Sequence, residues 1–398
     1  MKKRYSLPRI VLVLSPPGGG RTSQRRGFTT LSTTACSSSF ASSPLAAAAA
    51  AAAGERAPPT NDLAPMAPAP YRAEDLHRLS EFIFSRKRLV ALCGAGCSTE
   101  SGLPDYRSPN GSYSKGHKPT KYQEFVASEQ LRKRYWARNM QGWLAFSQVA
   151  PNATHHALAQ MERENLLTHI ITQNVDRLHQ KAGTKNITEL HGHNHAVVCL
   201  TCRQEEDRQH FQQRLEGMNP HWVHLMQSAG GSGARGLKDV GTLPERESEQ
   251  EKGISTAKAT LMVQGIKRPD GDADISIFGN DYSSFVVPNC MNCEKDGKKG
   301  ILKPAVVFFG ENVPRDIVEH AMTLTKESDG LLVVGSSLMV YSAFRFVRAA
   351  QQHGIPVAIL NIGPTRADDQ VSLKVEARCG ELLPLVMHKY HLQGSPFL

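Results

Sequence analysis

Two Cys-x-x-Cys pairs carry the most specific chemistry in the chain: Cys199-Leu200-Thr201-Cys202 and Cys290-Met291-Asn292-Cys293. Four thiolates at this spacing close a tetrahedral zinc site, and four protein ligands leave no open position, so such a metal is structural. The 87 residues between the pairs exceed the usual ribbon spacing and predict an insertion at the ribbon tip. A second signal is Thr188-Glu189-Leu190-His191-Gly192, which puts a histidine at the end of a short extended run. Histidine is the natural general base near neutral pH, although a single histidine is more often structural. His193 and His195 read as surface or packing groups.

A third signal is Leu89–Cys93 running into Gly94-Ala95-Gly96-Cys97-Ser98. A strand ending in Gly-x-Gly lets backbone N–H groups approach a phosphate, and is equally a plain strand-to-helix turn. The dinucleotide fingerprint is broken, because Thr99 stands where its third glycine belongs. The Gly/Pro-broken loop that follows presents Asp105, Tyr106 and Arg107 and reads as a cofactor-covering loop. Ile170-Ile171-Thr172 ends in Gln173-Asn174-Val175-Asp176. Polar groups at the carboxyl end of a parallel strand sit where open α/β sheets bind ligands. Asn174 or Asp176 can equally cap the next helix.

The elements that must position these groups follow from periodicity. Short apolar runs at Arg88–Cys93, Thr168–Thr172, Ala305–Phe308, Gly330–Val334 and Pro356–Leu360 read as strands. Helical stretches lie at Ala153–Glu164, Arg315–Lys326 and Ala343–Gln352, and an earlier amphipathic helix is set by Leu76, Leu79 and Ile83. This alternation predicts an α/β fold, a doubly wound parallel sheet with helices on both faces. One region breaks the rhythm: from Arg203 to Tyr282 the chain is polar, with a Gly/Ser patch at 229–236 and a charged run at 245–252, and reads as a partly flexible insertion.

Composition narrows the function classes. The chain has 398 residues, 47 Lys and Arg against 37 Asp and Glu, and 40% hydrophobic residues, enough for a sizeable core. Its apolar runs are too short to span a bilayer; the alanine tract Ala46–Ala53 is the longest. Eight cysteines are too sparse for a disulfide-stapled scaffold. Residues 1–54 hold seven basic side chains and no acid, so the remainder carries 40 basic and 37 acidic groups. A near-neutral body argues against a nucleic-acid partner, despite the net charge of +10. The Arg-, Ser- and Ala-rich, acid-free start has the composition of an organelle transit peptide, with the mitochondrial matrix preferred and a plastid possible, followed by a Pro/Ala-rich linker at 55–71.

Taken together, these motifs resemble the sirtuin family over roughly residues 72–388. Phe308-Phe309-Gly310-Glu311, Val334-Gly335-Ser336-Ser337-Leu338 and Leu360-Asn361-Ile362-Gly363 follow in the family's order. Arg134–Asn139 and Asn361–Asp369 look like the class II, sirtuin-4-like branch, and Arg268-Pro269-Asp270-Gly271-Asp272 is similar to plant members, so the chain resembles a plant or green-algal mitochondrial one. Cys97 and Val175 depart mildly from the family pattern.

The resemblance implies a Rossmann-like sheet (72–198 and 302–388), a helical module near 108–152, and an inserted zinc-ribbon domain (199–301) containing the flexible insertion near 205–282, before a tail at 389–398. It implies an NAD-dependent protein-lysine deacylase with NAD as co-substrate and one structural zinc ion. Gly94, Ala95, Gly96 and Ser98 are then expected at the NAD phosphates, Asp105, Tyr106 and Arg107 over the nicotinamide ribose, Gln173 and Asn174 at the ribose, and Asp176 at the carboxamide. Gly335, Ser336, Ser337, Asn361, Ile362, Gly363 and Cys379 are expected at the adenosine end. Phe309, Gly310 and Glu311, with Leu338, Met339 and Val340, are expected to flank an acylated-lysine peptide as an added strand. His191, assisted by Asn174, is the expected catalytic base, acting on a ribose hydroxyl so that the acyl group passes to ADP-ribose and nicotinamide is released. Mono-ADP-ribosyl transfer and lipoamide cleavage are the alternatives that the same chemistry permits. A monomer that binds neither nucleic acid nor membrane is expected.

Overall fold

The computed structural model describes residues 71–229, 268–276 and 279–393. The expected transit peptide and linker, up to residue 70, lie outside the described residues, as do most of the Gly/Ser patch and the charged run at 245–252.

The chain enters through α1 (Ala73–Phe84) and drops into β1 (Leu89–Cys93). After the glycine turn come α2 (Tyr122–Ala127), α3 (Glu129–Ser147) and α4 (Ala153–Arg163). Then follow β2 (His169–Thr172), α5 (Leu178–Lys181), β3 (Ile187–Glu189), β4 (Gly192–Cys199) and β5 (Glu205–Asp207). Helices α6 (Arg208–Met218) and α7 (Pro220–Ala229) precede the undescribed stretch. Beyond it lie α8 (Met291–Lys295), β6 (Leu302–Val306), α9 (Arg315–Glu327), β7 (Gly330–Val334), α10 (Tyr341–Gln352), β8 (Val357–Leu360), β9 (Leu373–Val375) and α11 (Cys379–Leu392).

Six strands form a parallel sheet in the order β3-β2-β1-β7-β8-β9. The winding reverses between β1 and β7, which makes their carboxyl ends the switch point at which such sheets open a crevice. Both central strands are buried on both faces. Leu89, Ala91 and Cys93 pack with α1, α4 and α11 through Leu79, Ile83, Leu158, Met161 and Leu382. Val90 and Leu92 face the other way and join Leu331, Val333, Phe346 and Val347 under α9 and α10. The period-2 alternation of one strand thus feeds two cores.

The smaller sheet is antiparallel, β5-β4-β6. Its core gathers Trp136 from α3, Phe211 from α6 and Phe285, with Trp136 Nε1 donating to the Leu302 carbonyl at 3.1 Å. The apolar run at Ala305–Phe308, expected as a strand of the parallel sheet, instead forms the end of β6 and pairs with β4 across the register Cys199↔Leu302. Both pairings bury such a run equally, so its hydrophobicity does not choose between them. The polar stretch from 205 also differs from expectation. Phe211 and Leu215 on the otherwise polar α6, and Trp222 and Met226 on α7, recur four apart and give each helix an apolar stripe. At the other end α11 continues to Leu392, inside the span expected as a tail.

Among the described residues no helix is long and apolar enough to cross a membrane.

Candidate functional site

The glycine turn is shaped by β7. Gly96 N–H donates to the Gly335 carbonyl at 2.8 Å, and a Cβ on Gly96 would stand 2.8 Å from that oxygen. Gly335 itself takes φ +58°, so two glycines meet where neither tolerates a side chain. Gly94, Ala95 and Ser98 ride on this contact.

Ser98 is buried and becomes a hub. Its Oγ donates to Asp176 Oδ2 at 2.7 Å and accepts from Asn174 Nδ2 at 3.1 Å. Asn174 Nδ2 also donates to the Gly94 carbonyl at 3.1 Å, which leaves its amide oxygen without a partner among the described residues. Asp176 divides its carboxylate: Oδ1 accepts the Leu178 N–H at the start of α5, while Oδ2 belongs to the site. Asp176 thus braces the first turn of α5, whose N-cap is Arg177, and bonds Ser98 at the same time. Beneath them His155, capped into place by Asn152, lies 3.5 Å from Ser98 Oγ, and burial pushes its ring down to about 2. His155 and Asn152 had no sequence signal beyond the helix they begin.

His191 sits half-buried at the end of β3. Its Nδ1 donates to the Gln173 carbonyl at 3.1 Å, which fixes the tautomer and leaves Nε2 as a lone-pair acceptor for Ser342 Oγ at 2.9 Å. Burial, opposed by the Gln173 carbonyl and helped by the nearby Arg345 charge, lowers the ring to about 4. Gln173 Nε2 reaches Ser336 Oγ at 2.9 Å. His191 also bonds residues close in sequence to both segments expected to flank a peptide. Its carbonyl accepts the Val307 N–H at 2.9 Å, next to Phe308–Glu311, and Ser342 follows Leu338–Val340 in sequence. Phe309 and Met339 are each 41% exposed, so apolar surface lines both sides of that gap. Glu311 is tied down by Lys303 Nζ at 3.1 Å and by the Phe308 N–H at 2.9 Å. Sequence reasoning missed Ser342; its place just after the expected peptide-flanking segment was the available hint.

At the far end, Gly335 N–H donates to the Leu360 carbonyl at 2.9 Å, where Cys379 Sγ also points, and Asn361 Nδ2 bonds the Ile362 carbonyl at 2.8 Å. The Ser337 carbonyl is held by Arg366 N–H, and Ile362 and Gly363 lie at the surface or near it.

The loop over this crevice is internally built. Asp105 Oδ1 accepts from the Arg107 and Ser108 N–H groups, so its carboxylate shapes the turn, and the exposed Arg107 lies over the Tyr113 ring at 5.3 Å, with Tyr106 tilted against the same ring. His117 closes the loop onto Asp270 and Asp272, 3.9 Å from each. Asp272 in turn bonds Arg138 at 2.8 Å and pairs with Arg268. Burial, with Asp272 beside it, raises Asp270 to about 7. This network links the loop to residues after the undescribed stretch, a contact across more than 150 positions that no local pattern announces.

The four cysteines converge although 87 residues separate the pairs. Cys199 and Cys293 sulfurs lie 3.6 Å apart, as do those of Cys202 and Cys290, and all four fall within 4.8 Å of one another. A Cβ on Gly300 would stand 2.8 Å from Cys199 Sγ and 2.9 Å from Cys293 Sγ, so the backbone there makes room for a compact thiolate cage. None of the four is in a disulfide. The donor set fits a tetrahedral zinc ion. His193 and His195 stand apart from it; His195 packs edge-on against Trp143 at 5.4 Å.

The chain matches the Sir2 family model across residues 94–342. It is 44% identical over 319 residues to the NAD-dependent protein deacylase SRT2 of Arabidopsis thaliana, covering 80% of this chain and 77% of that protein. It is 42% identical over 318 residues to the NAD-dependent protein deacylase Sirt4 of Drosophila melanogaster, covering 79% and 87%. A solved structure of Sir2 with a p53 peptide and NAD+ superposes with a TM-score of 0.56 at 25% identity, covering 80% of this chain and 99% of that one. One of Sir2Tm bound to a propionylated peptide superposes with a TM-score of 0.55 at 26% identity, covering 80% and 99%.

Proposed function

The chain belongs to the Sir2 family, the sirtuins, and is an NAD-dependent protein deacylase; we propose that it removes acyl groups from protein lysine with His191 as general base. The observation that carries this is the position of His191, held by Gln173, which itself bonds the Cys93 carbonyl just before the glycine turn, with Nε2 presented as an acceptor. NAD supplies the glycosidic bond whose cleavage provides the ADP-ribose acceptor. The residues do the rest. With the Gly94, Gly96 and Cys97 N–H groups bonded to the Val334, Gly335 and Gly94 carbonyls, the turn offers the Ala95 N–H to a diphosphate, and Asn174 offers a free amide oxygen to a ribose hydroxyl. Asp176, oriented by Ser98, offers its carboxylate to an amide N–H. Phe309 and Met339 shelter an apolar acyl-lysine stem, and His191 takes the hydroxyl proton on Nε2.

Incubation with NAD and a panel of acylated peptides, read by mass spectrometry, tests the reading. Free lysine, nicotinamide and O-acyl-ADP-ribose in equal amounts are the expected products. Label appearing on protein without O-acyl-ADP-ribose would instead mark ADP-ribosyl transfer. Ser98→Ala is expected to raise the KM for NAD about tenfold with a smaller change in kcat, because it removes one hydrogen bond to a carboxylate and one acceptor for Asn174. An unchanged KM for NAD in steady-state kinetics would show that Asp176 is not oriented through Ser98.

We further infer a class II, sirtuin-4-like enzyme of plant or green-algal type acting in the mitochondrial matrix. Likeness to the Drosophila and Arabidopsis proteins and the Arg268–Asp272 segment support the branch. The acid-free basic start supports the address. Residues 1–54 fused to a fluorescent reporter are expected to carry it into mitochondria; a reporter spread through the cytosol, or confined to plastids, rejects that address.

A further inference from the structure

Helices α9 and α10 enclose a cleft of about 450 Å³ on the side of the sheet that carries Ser342. Val318 and Met322 form part of its floor. Its rim is Lys326 on α9 and Arg345, Arg348 and His353 along and just after α10, and no acid lines it. Lys326, Arg345 and Arg348 meet no carboxylate among the described residues. The acids of α9 are placed elsewhere, with Glu319 paired to Arg315. Arg345 Nε is buried with no hydrogen-bond partner, while its guanidinium lies over the Tyr341 ring at 5.4 Å. A concave cationic surface with a buried, unsatisfied donor is poised for an anion.

Two features say which anion. Tyr341, 51% exposed, lies in the cleft and directly follows Leu338–Val340, one of the two segments flanking the proposed peptide gap. The cleft lining therefore begins one residue beyond that segment. The site is also open and partly apolar, which suits carboxylates on flexible side chains. We propose that the α9–α10 cleft is an exosite for an acidic stretch of the substrate protein flanking the acyl-lysine. The proposal deepens the deacylase reading and rests on it. Arg345 is close enough to His191 for its charge to be felt there, so carboxylates in the cleft partly offset a charge that disfavours protonation of the base.

The test compares two acyl-lysine peptides that differ only in flanking residues, Glu/Asp-rich or Gln/Asn-rich, with NAD saturating. The parent enzyme is expected to show a KM roughly tenfold lower for the acidic peptide at low ionic strength, the combined effect of two surface ion pairs, and to lose the preference at high salt. The double variant Lys326→Glu/Arg348→Glu, both exposed and neither bonded to His191, is expected to abolish the preference while kcat and KM for the neutral peptide stay at the parent's values. Equal KM values in the parent, or a preference that survives in the double variant, overturns the exosite. Phosphatidylserine vesicles or an oligonucleotide captured by the parent and not by the variant, with no peptide preference, also overturns it and assigns the cleft to that ligand. If neither peptide is turned over, the deacylase reading fails; fluorescence anisotropy of the labelled peptides still decides the exosite, because binding does not require turnover.

Discussion

His191→Tyr is expected to cut deacylation by about 10³-fold, within the range that a positioned general base contributes, while the protein stays folded. The expectation rests on geometry. Nδ1 is fixed on the Gln173 carbonyl, so Nε2 is the one ring nitrogen that can take a proton, with a substrate hydroxyl in the place of Ser342 Oγ, and a phenol in place of the ring supplies no base at neutral pH. The structural cost is small, because the ring is half-buried and its loss removes two hydrogen bonds, one to a backbone carbonyl and one to Ser342. Circular dichroism and the melting temperature should match the parent closely. With the ring lowered to about 4 from an ordinary 6.5, the imidazole is neutral and competent throughout the neutral range. The acid limb of the parent's kcat/KM profile, which reports the free enzyme, therefore lies below the ordinary histidine range, and that limb should vanish in the residual activity of the variant. A folded variant with parental turnover removes His191 from the chemistry.

Loss of the thiolate cage is expected to have the largest effect on stability. Cys293→Ser leaves three thiolates where Gly300 has made room for four. Structural zinc in such sites carries apparent binding free energies of about 10–16 kcal/mol, which is folding free energy for the unit it closes. The antiparallel sheet β5-β4-β6 borders the cage through Cys199 and Leu302, so it should loosen when the metal leaves. Native protein is expected to contain one zinc per chain by atomic absorption. The variant, or the parent treated with a strong chelator, is expected to lose the metal and to melt at least 10 °C lower. Metal-free native protein with full stability would show that the four thiols close the ribbon unaided. Because the four ligands complete the coordination shell, activity should fall only as far as the fold does.

Much of the site could be read from the sequence because its motifs coincide with strand ends. Leu89–Cys93, His169–Thr172 and Gly330–Val334 are apolar runs that stop abruptly at Gly94, Gln173 and Gly335, and the abrupt change marks both the end of the strand and the start of the polar group. The two Cys-x-x-Cys pairs announce themselves for a similar reason, since ligand spacing is local. Other features were invisible. The run at Ala305–Phe308 is as apolar as a parallel strand needs, yet β6 pairs antiparallel with β4, a choice made by the cage that clamps Cys199 beside Leu302. Phe211, Leu215, Trp222 and Met226 were hidden in a polar stretch, because each stripe is only two residues long and the first lies among the polar and charged residues of α6. The His117–Asp270–Asp272 contact also gave no warning, and Ser342 offered only its nearness to an expected peptide-flanking segment.

By itself, the sequence determined the alternating elements, the thiolate ligands and the chemical types at each strand end, since all of these are set by neighbours within a few residues. The tertiary structure decided which of those ends meet. His191 finds Ser342 across 151 positions, and Cys199 finds Cys293 across 94. The order in which strands wind about β1 is fixed by burying two apolar faces at once, and that is a property of the whole packed chain.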